Sequence, residues 1–230
     1  ALTCTAALAM AGPWDRDTTR PPRAFVGVLR DHSARQILLL GLVNAAPVAV
    51  TSTLFLFFVE SRLTAPEAAG PLLLLFFISA ALAAPLWTFL AERFGLKRVM
   101  RAAMALAIFS LFWVLFLNSG DVIAFAIICV LSGAAVGADM TLIPAIFAQR
   151  IAHIGASTTD GFGLWSFVSK FSLAFAAVIL LPSLELAGFR PGQENSAAAL
   201  SVLTWTYALV PCGLKLLAIM VLQRTDLRQI

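Results

Sequence analysis

Six long apolar runs dominate this chain, and the basic residues between them fall almost wholly in alternate loops. The runs cover residues 37–59, 68–91, 102–120, 122–148, 161–184 and 197–223, and the charges inside them are Asp139, Lys170 and Lys215. A hydrocarbon core of about 30 Å is crossed by about 20 apolar residues in a helix, so each run is long enough to span. Backbone N–H and C=O groups in lipid must be satisfied within the segment, which makes these runs helices. Barrel strands of about ten residues with dyad alternation are not seen. The fold class expected is therefore an all-α membrane protein with six transmembrane helices. With 60% hydrophobic and 12% charged residues, the chain lies far from a soluble domain, at about 45–50% and 25%.

The loop charges give a topology. Arg16, Arg20, Arg23, Arg30 and Arg35 precede the first run, Arg93, Lys97, Arg98 and Arg101 follow the second, Arg150 follows the fourth, and Arg224 and Arg228 close the chain. The opposite loops hold only Arg62 and Arg190. The positive-inside rule then places both ends of the chain in the cytoplasm. The net charge of +4 is spent on these flanks, so no nucleic-acid partner is expected. Cys4, Cys129 and Cys212 are scattered and form no CxxC spacing, which argues against a metal site or disulfide framework.

Residues 1–12 are apolar but too short to span, and read as the end of a preceding transmembrane helix. Residues 13–35, with Pro13, Pro21, Pro22 and mixed charges, read as a cytoplasmic linker. Residues 36–224 form the six-helix bundle and 225–230 a cytoplasmic tail. This organisation suggests the second half of a larger transporter; a self-standing six-span protein is the other reading. Pro47, Pro85, Pro144 and Pro211 lie inside runs and serve either as curvature or as hinges, since each removes a backbone hydrogen bond. Gly133 and Gly137 form a GxxxG, the spacing that lets a second helix backbone approach closely.

Charges within a span are costly, about 2.5–3.5 kcal/mol at the centre on insertion scales, and persist when paired or facing water. Asp139 and Lys170 each lie ten residues from the loop between the fourth and fifth runs, roughly 15 Å deep at 1.5 Å per residue. Both therefore sit near the midplane, where transporter sites usually lie. The expectation is that both face an aqueous cavity and pair across it, or else form a structural ion pair. Asn44, Thr141 and Trp165 are weaker candidates for the same cavity; Trp165 can stack on a sugar ring or anchor at an interface. Lys215 is expected to snorkel toward the cytoplasmic face. The absence of GxxxxGK[ST], HExxH and GxSxG sequences speaks against an enzyme.

Two stretches carry a family resemblance. Residues 89–98, FLAERFGLKR, resemble the cytoplasmic G-x-x-x-D-R-x-G-R-K loop of the major facilitator superfamily, with Glu92, Arg93, Gly95, Lys97 and Arg98 at matching places. Thr88 stands where the first glycine would be, and Glu92 replaces Asp. Residues 161–175, GFGLWSFVSKFSLAF, resemble helix eleven of the glycoside–pentoside–hexuronide:cation symporter family, the group containing melibiose permease, with Lys170 at the family's helix-eleven lysine. Residues 137–144, GADMTLIP, resemble helix ten of bacterial members. After helix ten, residues 148–153 read AQRIAH, where the family often carries acids.

The resemblance implies half of a twelve-helix transporter working by alternating access in a bacterial-type inner (plasma) membrane. Its expected partners are the lipid bilayer, a small-molecule solute and an N-terminal half outside this chain. The expected function is cation-coupled symport of a sugar or other small solute, with Na+ or H+ as coupling ion and no other cofactor; a non-transporting membrane scaffold or partner subunit is the alternative.

Overall fold

Apolar runs this long have one way to satisfy their backbones in lipid, and all of them are helical in the computed structural model, which describes residues 24–225. The expected end of a preceding helix, the first part of the linker (residues 13–23) and nearly all of the tail lie outside the described residues. A short helix, α1 (Ala24–Arg30), precedes the bundle, so the last part of the expected linker is helical. The bundle consists of α2 (His32–Phe57), α3 (Ala69–Phe94), α4 (Leu96–Phe112), α5 (Val122–His153), α6 (Thr158–Leu186) and α7 (Ala197–Arg224). With their flanking turns, six helices are long and apolar enough to cross a membrane, and among the described residues no strand occurs.

Local chemistry explains where the helices start and stop. Asp31 caps α2, accepting the Ala34 amide at 2.7 Å, and Ser196 caps α7 through Ala199. The α2 helix loosens into a π-turn, Phe58–Arg62. Gly95, at φ +87°, joins α3 directly to α4; the left-handed backbone there suits glycine because it has no Cβ. The third span ends sooner than its hydropathy suggests, in a 3-10 turn at Trp113–Phe116. The loop beyond it is pinned from the α2–α3 loop: Arg62 Nη2 donates to the Leu117 carbonyl at 2.7 Å and the Gly120 amide to the Leu63 carbonyl at 3.0 Å. All four expected prolines lie inside helices that continue through them, and Pro182 in α6 does too.

The helices α2, α4, α5 and α7 form the inner set, while α3 packs chiefly on α5 and α6 chiefly on α2. The α3–α5 seam is built by the small residues. A Cβ on Gly133 would lie 2.3 Å from the Phe76 carbonyl oxygen, and one on Gly137 2.5 Å from that of Ala80. Trp87 Nε1 adds a hydrogen bond to the Ala134 carbonyl at 2.7 Å. The GxxxG thus serves helix packing.

Two apolar clusters fill the interior. One contains Leu54, Phe58, Phe125, Cys129, Tyr207 and Cys212, with Phe58 stacked on Tyr207 at 4.7 Å. The other contains Ile37, Met104, Leu142, Phe147, Ala218 and Leu222. A polar layer lies near where they meet: Asn44 on α2 and Lys215 on α7 stand between the clusters, and Asp139 on α5 follows Ala138, the first residue of the second cluster on that helix. At the end of the bundle where α2 begins, Arg150 of α5 grips Asp31 through two hydrogen bonds of 2.7 and 3.0 Å, joining the start of α2 to the end of α5. The guanidinium holds the Asp31 carboxyl below the usual carboxylate range.

Candidate functional site

The polar layer consists of Asn44 on α2, Asp139 on α5 and Lys215 on α7. The Lys215 ammonium donates to Asp139 Oδ2 at 2.5 Å and to Asn44 Oδ1 at 2.7 Å. The Lys215 side chain is 2% exposed and that of Asp139 9%. Lipid cannot solvate such groups, so a charge this deep persists by being neutralised and hydrogen-bonded.

A cavity of about 370 Å³ opens beside this layer, between α2, α5 and α6. Asn44, Ser52, Asp139, Trp165 and Ser169 supply its polar or amphipathic lining. Trp165 lies against Gly41, where a Cβ would come within 2.7 Å of the indole, and tilts on Phe147 at a ring distance of 5.4 Å. Gly41 is therefore the position that lets the indole seat at the cavity wall. A second cavity of about 430 Å³ lies between α2, α3, α4, α5 and α7. It is lined by Phe55, Phe76, Phe77, Tyr207 and, from the polar layer, Lys215. The ion pair thus stands between two hollows, Asp139 facing one and Lys215 the other.

Of the candidates from sequence, Asn44, Asp139 and Trp165 come together at one cavity. Thr141 does not join them; its hydroxyl donates to the Gly137 carbonyl of its own helix at 2.8 Å. Lys170 lines neither cavity and is exposed on α6 beside a column of stacked rings, Phe167, Phe171 and Phe175. The expected pairing of Asp139 with Lys170 is not what forms. Adjacency in sequence suggested it, but α6 leans on α2 rather than on α5. Nor does Lys215 snorkel, because two acceptors meet its ammonium inside the bundle. A usable signal existed: Lys215 is nine residues before Arg224, roughly 14 Å deep, which matches Asp139.

The expected loop motif is helical on both sides of Gly95: Glu92 and Arg93 lie in the last turn of α3 and Arg98 in the first turn of α4, all three exposed. Arg93 lies over the Phe94 ring at 5.8 Å, and Lys97 Nζ donates to the Gln223 carbonyl of α7 at 3.3 Å. Among the described residues no cluster of three or more metal-ligating side chains occurs.

Comparison with known proteins agrees with this architecture. A solved structure, the MFS (major facilitator superfamily) proton:xylose symporter XylE bound to 6-bromo-6-deoxy-D-glucose, superposes with a TM-score of 0.59 at 19% identity. The match covers 87% of this chain and 44% of that one, so the chain spans less than half the length of the protein it resembles. Comparison with curated proteins gave no match. The profile of the family described as MFS/sugar transport protein matches residues 12–229, a family of transporters rather than enzymes. This multi-pass membrane chain, whose six helices have the fold of half a major facilitator transporter, belongs to that family.

Proposed function

We propose that this chain forms the C-terminal half of a secondary active transporter that carries a sugar or other small polar solute. The solute would bind between this bundle and an N-terminal one and move by alternating access, with Na+ or H+ as coupling ion. Both ends of the chain would face the cytoplasm of a cell with this protein in its inner membrane, as the loop charges imply. The observation that carries the reading is the mid-bundle cavity of about 370 Å³ lined by Asn44, Asp139, Trp165 and Ser169. Its size lies in the usual range for small-ligand pockets, and transporter sites favour the midplane. An indole face beside a carboxylate and an amide suits a sugar, which presents C–H faces and hydroxyl edges. Lys170 is assigned the opening between the halves, since it is exposed on α6.

The test is uptake of radiolabelled D-xylose and D-glucose into proteoliposomes carrying the natural full-length protein, with imposed Na+ or H+ gradients. Asp139→Asn and Lys170→Ala should each lower uptake by at least about tenfold, a loss of about 1.4 kcal/mol in transition-state stabilisation. Wild-type uptake by both variants would refute the site. One observation favours a non-transporting scaffold, the near-complete burial of Lys215 in its ion pair. That reading predicts no uptake of any sugar by the wild-type protein and no entry of thiol reagents at Asp139→Cys.

A further inference from the structure

Asp139 uses only one of its oxygens within the protein. Oδ2 receives the ammonium, while Oδ1 has no hydrogen-bond partner among the described residues and is not sealed from space. Asn44 is similar: its oxygen accepts from Lys215, and its amide nitrogen has no partner among the described residues. Both residues line the cavity assigned to the solute, whereas Lys215 approaches from the other side and does not. The result is a free acceptor beside a free donor, at a site whose formal charges cancel.

We infer that Lys215 is a positioning residue for the solute site. Its ammonium acts as a built-in counter-ion that keeps Asp139 ionised and holds the carboxylate and the Asn44 amide in register, so that together they bind a neutral, hydroxyl-bearing solute. This rests on the cavity being the solute site. The physics is direct. A carboxylate with so little exposure is unstable as an anion unless a cation faces it, and would otherwise take up a proton. Protonation would turn half of its acceptor capacity into a donor. Because lysine and aspartate neutralise each other, a cationic solute gains no net attraction at this layer. A hydroxyl can donate to Oδ1 and accept from the Asn44 amide without adding charge.

Near this layer the other titratable groups of the surrounding helices are Cys129 on α5, Tyr207 and Cys212 on α7 and Lys170 on α6; the rest stand toward the helix ends. Tyr207 and the two cysteines belong to the neighbouring apolar cluster, and Lys170 lines neither cavity. Lys215 is therefore the cation that faces Asp139 inside the bundle.

Infrared difference spectroscopy of the natural full-length protein in lipid tests this without relying on transport. The expected wild-type result is no protonated-carboxyl band assignable to Asp139. Lys215→Met should show such a band, since burial favours the protonated form of an uncompensated carboxyl. Lys215→Met/Asp139→Asn should lose it, and Lys215→Arg should behave as wild type. Lys215→Gln keeps hydrogen-bonding capacity without charge, and reads the same way if the methionine variant does not fold. In parallel, D-xylose binding should weaken about tenfold or more in the neutral variants. Absence of the band in both neutral variants overturns the role given to Lys215, whatever the sugar data show. A band accompanied by unchanged sugar affinity overturns instead the assignment of the cavity to the solute, and the inference with it.

Discussion

The contact between α3 and α5 gives the most quantitative prediction. Replacing Gly133 by alanine would put a methyl carbon 2.3 Å from the Phe76 carbonyl oxygen, where ordinary contact begins near 3.4 Å. The obstacle is backbone, so no rotamer change relieves it, and the seam must open by about 1 Å. Overpacking of this kind typically costs about 1–3 kcal/mol. Because backbone cannot swing aside, this clash falls in the upper part of that range, about 2–3 kcal/mol; alanine gains about 1 kcal/mol over glycine as a helix former, so the net loss should be about 1–2 kcal/mol. Gly137→Ala, at 2.5 Å from the Ala80 oxygen, should cost nearly as much. The double variant should cost less than the two together, because one displacement of α3 relieves both clashes. Gly213, in α7, has nothing within 4 Å of the place a methyl group would take, so Gly213→Ala should stabilise by about 0.5–1 kcal/mol. Cys129 and Cys212 are buried and report unfolding when a thiol-reactive fluorophore labels them in a background without other cysteines. At about 2–4 °C per kcal/mol for a chain of this size, Gly133→Ala should lower the midpoint by several degrees while Gly213→Ala raises it slightly. An unchanged or raised midpoint for Gly133→Ala, with Gly213→Ala raised as expected, would refute close backbone packing between α3 and α5.

Other perturbations separate the remaining contacts. Asp31→Asn keeps an N-cap but removes the ion pair with Arg150, and should cost about 1–3 kcal/mol in thermal unfolding; Asp31→Ala should cost about 1 kcal/mol more by losing the cap of α2. Because the folded Asp31 carboxyl lies below its ordinary value of 3.8, the pair stabilises fully above that value and is lost as pH falls through the lower folded one. Acid scans from about pH 6 to 3 should therefore converge for wild type and Asp31→Asn at the low end; parallel curves would contradict the pairing. Glu92→Gln should leave the unfolding midpoint within about 0.5 kcal/mol of wild type, since Glu92 is exposed and exposed charges contribute little. Gly41→Ala should disturb Trp165, whose indole occupies the space a Cβ needs, and is expected to change Trp165 fluorescence more than the unfolding midpoint.

What could be seen in the sequence follows from which signals are one-dimensional. Length and apolarity determine whether a segment crosses lipid, so all six spans were legible, as was the close-packing role of Gly133 and Gly137. Depth was legible as well, because 1.5 Å per residue converts position into height. Rotation about each helix axis was not. Lys170 and Lys215 stand at heights similar to Asp139, and the choice between them depends on which helix lies against α5. The sequence neighbour α6 lies instead against α2, and α7 returns to the inner set. Hydropathy cannot rank those packings, since apolar faces are equally content against lipid or protein. For the same reason Thr141, two residues from Asp139, points its hydroxyl at its own helix although its height suited a cavity.

That indifference also explains why a charged layer is useful in such a bundle. Two apolar clusters stacked along α2, α5 and α7 contain little that prevents one helix from sliding or turning against another, because lipid tails compete equally for every leucine. An ion pair replaced by well-packed apolar residues of similar volume is often no less stable. The Lys215–Asp139–Asn44 layer is therefore a poor source of stability but a strong source of register: moving α7 by one turn, about 5.4 Å, would leave a carboxylate and an ammonium unpaired in a dry interior. Breaking one partner alone should be costly, while neutralising both should be mild. The same layer that pins these three helices keeps Asp139 Oδ1 open to the cavity beside α6, so fixed geometry and an available acceptor come from one set of contacts. In the alternating-access mechanism proposed above, a bundle moving as a rigid body would need both, because the solute would have to meet the same groups in each orientation.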